Sequence, residues 1–414
     1  MPKTHKTIYL DYAAAAPLWP AVIKRIAEIL QLSGNPGSLH EQGYTLKQRW
    51  HDSLGSIAQQ LGCTPDELII TSGATESANL AILGAINQLL QHETVHCISS
   101  TAEHAASYSP IKELERRGAD VTWLAVNSHG QIDSQQLMQA LTPTTRLVSV
   151  IAAHNETGAL QPIHEIVTTI KAAERQFGHR ILLHLDAAQW AVWQKLNLHA
   201  IGADLVTISG AKLGGPHCGL LYVRRDTPIE PIMYGGGQQQ ARRPGTEDVA
   251  SIVGLAAAFD ETWKFLAAGH APTIKTLRDQ LGTALEQAFP QLIRRDLPNG
   301  LPGILHLTLP GLDGEQAVYA LSETGIAVAT GSACSERLGT EDHRVRAALG
   351  IKPQNQTATL RISLGWQTTD EEITRAIPIF IDILEQTLAQ AKLTKQLQAS
   401  GRDLSQAYAK GHDE

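Results

Sequence analysis

The sequence predicts an α/β protein: a large unit on a mostly parallel sheet, then a smaller α+β unit. Two observations carry this. Short, often continuously apolar runs alternate with amphipathic stretches through the first part of the chain, as strands buried on both faces alternate with their covering helices. After about Trp263 the rhythm changes to a helix, short strands and one long final helix.

In order, the strand candidates of the first region are 68–70, 95–99, 121–126, 147–152, 181–185, 205–208 and 220–223. They are short and rich in Leu, Ile and Val, as buried strands are. Between them, 76–90 reads as a helix with Ala78, Ile82, Ala85, Ile86 and Leu89 on one face, and 163–177 as another. In the second region a helix over 273–289 leads to strands at 304–309, 326–329 and 360–364. A long helix from 370 to about 391 follows, in which Pro378 is expected to cause a kink or break. From about Lys392 the chain is polar and reads as a helix end with a frayed tail.

A chain of 414 residues suggests two or three domains. It carries 34 Lys and Arg against 41 Asp and Glu, a net charge of −7, which argues against a generic nucleic-acid binder. With 43% hydrophobic and 18% charged residues it reads as globular rather than disordered. Four cysteines, at 63, 97, 218 and 334, are too scattered for a disulfide framework or a CxxC zinc site. No apolar run approaches the ~18 residues of a membrane helix. Near the start, Asp11 interrupts the apolar residues that follow Lys3 and Lys6, so a signal peptide is not expected and a cytoplasmic protein is.

Ligands of open α/β sheets gather beyond the carboxyl ends of the strands, and the telling residues here follow strands. After 68–70 comes Thr71-Ser72-Gly73-Ala74-Thr75-Glu76-Ser77, opening into a helix. Such a start suits a phosphate, or serves only as an ordinary N-cap. After 181–185 comes Asp186, costly in a buried place without a cationic partner. After 205–208 comes Ser209-Gly210-Ala211-Lys212. Alone, the lysine reads as a loop cation. Jointly, the three are the parts of a pyridoxal phosphate site: a lysine to bond the cofactor, an aspartate for the ring nitrogen, and a helix terminus for the phosphate.

These segments resemble the class V aminotransferases, and within them the cysteine desulfurases. The resemblance covers nearly the whole chain in order: LDYAAAAP (10–17), GNPGSLH (34–40), TSGATES (71–77), AEH (102–104), HNETG (154–158), HLDAAQ (184–189), SGAK (209–212), GGG…RRPGT (235–246), TGSAC (330–334) and LRISLG (360–365). It implies a fold type I pyridoxal 5′-phosphate enzyme with a large domain over 16–263 and a small domain from 1–15 and 264–414. By the same resemblance, Lys212 bonds the cofactor, Asp186 pairs with the pyridinium nitrogen and Gln189 with the 3′ oxygen. Thr75, with Ala74 beside it, and Ser209 hold the phosphate. Thr246 does so from the neighbouring subunit of a homodimer. His104 stacks on the ring and exchanges protons near neutral pH. Asn155 lies at the cofactor and, with Arg361, binds the substrate carboxylate. Cys334 is the nucleophile, on a loop of small residues, that takes sulfur from L-cysteine as a persulfide and leaves L-alanine. The sulfur then passes to an acceptor protein, for iron–sulfur cluster, thio-cofactor or tRNA synthesis. Ser335 to Asp342 reads as long and polar enough to swing. The only metal contact implied is a transient iron–sulfur one at Cys334; no membrane or direct nucleic-acid partner is implied.

Rival readings are a selenocysteine lyase, cystine lyase or aminotransferase of the same family, or a non-catalytic sulfur-assembly scaffold. Two departures stand out. Many relatives carry a phosphate-holding histidine before the lysine, where this chain has Ala211. Gln238-Gln239-Gln240 stands where some relatives are charged. His92-Glu93-Thr94-Val95-His96 matches the HExxH zinc pattern, but that pattern needs one continuous helix, and a strand is expected to begin at Val95.

Overall fold

The computed structural model describes residues 7–330, 344–351 and 358–399. Its strands, in chain order, are β1 (Ile8–Tyr9), β2 (Leu68–Thr71), β3 (His96–Ser100), β4 (Asp120–Leu124), β5 (Thr145–Ile151), β6 (Leu182–Asp186), β7 (Leu205–Ser209), β8 (Gly219–Val223), β9 (Ile293–Arg294), β10 (Ile304–Leu309), β11 (Ile326–Ala327), β12 (Ala329–Thr330) and β13 (Ala358–Ser363). Seven of them form one sheet in the order β2-β8-β7-β6-β5-β3-β4. β3 to β7 pair in parallel, whereas β8 runs antiparallel to both β7 and β2. β6, β7 and β8 are buried at every residue and β5 at every residue but Arg146, which accounts for their largely apolar sequences.

Helix Ile163–Phe177 buries Ile166, Ile170 and Ala173 and ends at Gly178, whose φ of 74° a glycine adopts without strain. Helix Ala74–Ile86 starts two residues before its expected first residue and stops four short of the expected end. A 3-10 turn over Leu89–Gln91 follows. The helix is buried on most sides rather than on one face, and its small residues make that possible: a Cβ on Gly84 would sit 2.5 Å from the Glu230 carbonyl oxygen. His92 and His96 share no helix, and the His96 ring is held between the hydroxyls of Thr145 and Thr122 at 2.8 and 2.9 Å.

A four-stranded antiparallel sheet, β12-β13-β10-β9, carries the second core. Leu277, Leu281 and Leu285 of helix His270–Ala288 cover it, with Phe380 and Leu384 of helix Asp370–Ala399. Ile8 and Leu10 are buried in the same core, and β1 pairs with β11. Of the kink or break expected at Pro378, the break does not occur: the last helix runs on through it. Pro378 and Thr374, whose carbonyl loses its usual donor, are both exposed, so the lost hydrogen bond falls on the solvent side of the helix. Ile373, Ala376 and Phe380 on the other side are fully buried and carry the helix past the proline.

The two cores meet at close aromatic contacts. Trp19 stacks on Trp366 at 3.9 Å. Gly365 lies so near Tyr12 that a Cβ there would fall 2.0 Å from its ring. This seam fixes β13, and therefore Arg361, against the carboxyl edge of the large sheet. No helix among the described residues is long and apolar enough to cross a membrane.

Candidate active site

A cleft with about 310 Å³ of free space opens at the carboxyl edge of the seven-stranded sheet. It is lined by Ala74 and Thr75 after β2, His104 after β3, Asn155 after β5, Asp186 and Gln189 at and after β6, Ser209 and Lys212 at and after β7, and Arg361 of β13. Nine residues expected at one site, spread over almost three hundred positions, thus share one wall. Thr246 is exposed in a segment outside this cleft. Cys334 and the segment Ser335 to Asp342 lie outside the described residues.

The local chemistry follows from where each strand stops. Asp186 is the last residue of β6 and is 4% exposed; its Oδ1 accepts the Ala188 N–H at 3.0 Å, and Oδ2 lies 3.5 Å from Ser107 Oγ. Gln189 is anchored by donation from Nε2 to the Ala13 carbonyl at 2.8 Å. Gly73 precedes helix Ala74–Ile86, so the free N–H groups of its first turn face the cleft beside Thr75. At that turn Ser72 N–H donates to Glu76, which Arg243 pairs at 2.8 Å.

His104 caps helix Ala105–Arg116, its Nδ1 accepting the Ala106 N–H at 3.1 Å, which places the ring proton on Nε2. Burial, then the charges of Lys212, Arg361 and Arg344, push its pKa down to about 3. The sequence-based expectation of near-neutral titration is therefore corrected: this imidazole is neutral at neutral pH.

Arg361 donates from Nη2 to Asp11 Oδ1 at 3.0 Å and from Nη1 to the Asn155 carbonyl at 3.4 Å. Its buried Nε has no hydrogen-bond partner among the described residues. A guanidinium with one edge paired and a buried N–H left over is suited to a carboxylate.

Four polar lining residues escaped the sequence reading: Glu103, Glu156, His217 and Arg344. Glu103 is fully buried beside His104, with Oε1 accepting from Ser100 Oγ at 2.6 Å. Burial, reinforced by the charge of Asp186, pushes its carboxyl up to about 8, so it is protonated at neutral pH. Arg344 donates to the carbonyls of Thr101 and Glu103 and lies 3.8 Å over the Tyr108 ring, pinning the loop that carries His104. A glutamate directly before a strand-end histidine was a readable signal. Arg344 offered none, because its partners lie more than two hundred residues away. The middle residue of the glutamine run turns out to be structural: Gln239 exchanges two hydrogen bonds with the main chain of Ile70, covering the edge strand β2. Cys97 and Cys218 are buried and Cys63 half-buried, and burial pushes all three thiols up to about 12, so none is a thiolate at neutral pH.

The family model for class-V aminotransferases matches residues 8–376. The cysteine desulfurase IscS of Enterobacter sp. (strain 638) is 36% identical over 379 residues, which cover 90% of this chain and 91% of that protein. A solved NifS-like protein superposes with a TM-score of 0.84 at 28% identity, over 92% of this chain and 99% of its own. A structure described as SspA in complex with cysteine gives a TM-score of 0.74 at 29% identity, over 86% and 99%.

Proposed function

We propose how this chain works from the premise that it belongs to the class-V aminotransferase family and is a cysteine desulfurase: it takes sulfur from L-cysteine, releases L-alanine, and carries the sulfur as a persulfide on Cys334. The observation that supports this most is the convergence of Lys212, Asp186 and the Gly73–Thr75 helix start in one cleft that also holds Arg361.

The residues fit pyridoxal 5′-phosphate. Asp186 is a buried carboxylate with N–H and O–H donors of the protein on its oxygens and a further face on the cleft. The helix start suits a phosphate dianion, and the free space is of the size small-ligand sites have. When bound, the cofactor supplies an electron sink for the bonds broken at the substrate's Cα. Asp186 would keep the ring nitrogen protonated, and Gln189 would donate to the 3′ oxygen. Ala74, Thr75 and Ser209 would hold the phosphate, with Thr246 contributed by a second copy in a homodimer. His104 would stack on the ring and offer its Nε2–H. Lys212 would hold the cofactor covalently and move the Cα proton.

Asn155 and Arg361 would orient the cysteine carboxylate, which places the thiol away from the two. The Cys334 thiolate would attack the substrate sulfur: an S–S bond forms, the Cβ–S bond breaks with its electron pair left on the three-carbon fragment, and that fragment takes up a proton at Cβ and leaves as alanine. The persulfide would pass to an acceptor protein, an iron–sulfur scaffold or a sulfur carrier. A reducing cytoplasm would keep that thiol free. We also assign 16–263 to a cofactor domain and 1–15 with 264–414 to a small domain.

The test is Cys334→Ala, loaded with cofactor and given L-cysteine labelled in sulfur. The variant keeps the bound-cofactor colour and loses protein-bound persulfide and transfer to an acceptor. Undiminished transfer would assign the sulfur chemistry to a different group.

A further inference from the structure

We propose that His217 binds the phosphate end of the cofactor, taking the part that Ala211 cannot. The inference rests on the pyridoxal phosphate reading of the cleft. β8 runs antiparallel to both of its neighbours, so its first residue, Gly219, lies opposite Thr71 of β2 and Ser209 of β7. From those two residues depart the Gly73–Thr75 turn and the Gly210–Lys212 turn. The chain leading into β8 is therefore wedged between the two segments that face the phosphate.

The wedge is tight. A Cβ on Gly219 would lie 2.4 Å from the Gly73 carbonyl, and one on Gly210 would lie 2.6 Å from the Pro216 carbonyl oxygen. Gly210 N–H donates to the Cys218 carbonyl at 2.9 Å, Gly215 N–H to Gly210 at 2.9 Å, and Cys218 N–H to Pro216 at 2.8 Å. These bonds clasp Pro216-His217-Cys218 onto the turn that carries Lys212. His217 is exposed and stands between two hollows: it lines the cleft of Thr75, Ser209, Ala211 and Lys212, and also a smaller hollow beside Thr71, Ser72 and Arg243. Its ring has no hydrogen-bond partner among the described residues. The nearby Arg243 is already paired with Glu76. Beside the helix N–H groups and the hydroxyls of Thr75 and Ser209, the His217 imidazole is a further donor at this end of the cleft.

The experiment compares two ligands on the full-length protein stripped of cofactor: pyridoxal phosphate and pyridoxal, each titrated by its absorption change on binding. His217→Ala is expected to weaken pyridoxal phosphate about tenfold and to leave pyridoxal within about twofold. Adding Ala211→His to that variant is expected to restore most of the loss. Unchanged pyridoxal phosphate affinity in His217→Ala overturns the proposal. So does an equal loss for both ligands, which would mean a distorted cleft. If the unaltered protein binds neither ligand, the cofactor reading itself fails, and this inference fails with it.

Discussion

Replacing Glu103 with glutamine is expected to abolish a loss of stability that the unaltered protein suffers as pH rises. The carboxyl is fully buried, and its pKa lies at about 8 in the fold against an ordinary value of 4.5. Between these values the unfolded chain has released the proton and the folded chain retains it. The folded state thus binds more protons, and stability falls with increasing pH until the folded carboxyl also ionises. From pH 5 to pH 9 the difference amounts to about 4 kcal/mol, at about 1.4 kcal/mol per unit of pKa separation. Glutamine is neutral throughout and keeps an oxygen for the Ser100 hydroxyl. Urea unfolding of the cofactor-free protein and of Glu103→Gln, at pH 5 and pH 9, measures the effect. The two should agree within about 1 kcal/mol at pH 5, and the variant should be more stable by about 3–4 kcal/mol at pH 9. A difference between them that stays constant over this range would refute the reasoning, because Glu103 would then not be the group that titrates.

Arg361→Lys replaces a planar fork by a point charge, so KM for cysteine is expected to rise about tenfold or more, with a smaller effect on kcat, measured by alanine release. Two glycines should respond to alanine in opposite directions in thermal unfolding. Gly365→Ala drives a methyl into the Tyr12 ring and should cost about 1–3 kcal/mol or more. Gly55→Ala adds one in open space within helix Glu41–Leu61 and should stabilise by about 0.5–1 kcal/mol.

The strands of the large sheet were legible because burial on both faces leaves a mark in every residue. β5 to β8 fall within two residues of their expected bounds. The short strands β1 and β9 are two residues each, too few to show a period, and they exist only because β11 and β10 pair with them. The ends of helix Ala74–Ile86 went astray because a helix wrapped by protein has no polar face to mark its limits. The passage of the last helix through Pro378 depended on which side of it faces water, and a proline does not report that.

The site was legible wherever a residue follows a parallel strand, since a parallel strand delivers what comes after it to the active edge. Asp186, Lys212 and His104 arrive this way, and so does Thr75 after β2, which shares their direction although its one partner, β8, is antiparallel to it. An antiparallel strand reverses the rule: it delivers what comes before it. β8 is such a strand, and His217 precedes it by two residues. His217 therefore reaches the active edge without following any strand in the common direction, although it stands only five residues beyond Lys212. The sign of one strand's direction, which apolar pattern does not encode, decides whether this histidine is a turn residue on the far edge or a wall of the cleft. The same sign explains how a chain can lack a histidine at 211 and still present one at the phosphate end: the two positions lie on opposite arms of the single turn that Gly210 and Cys218 close.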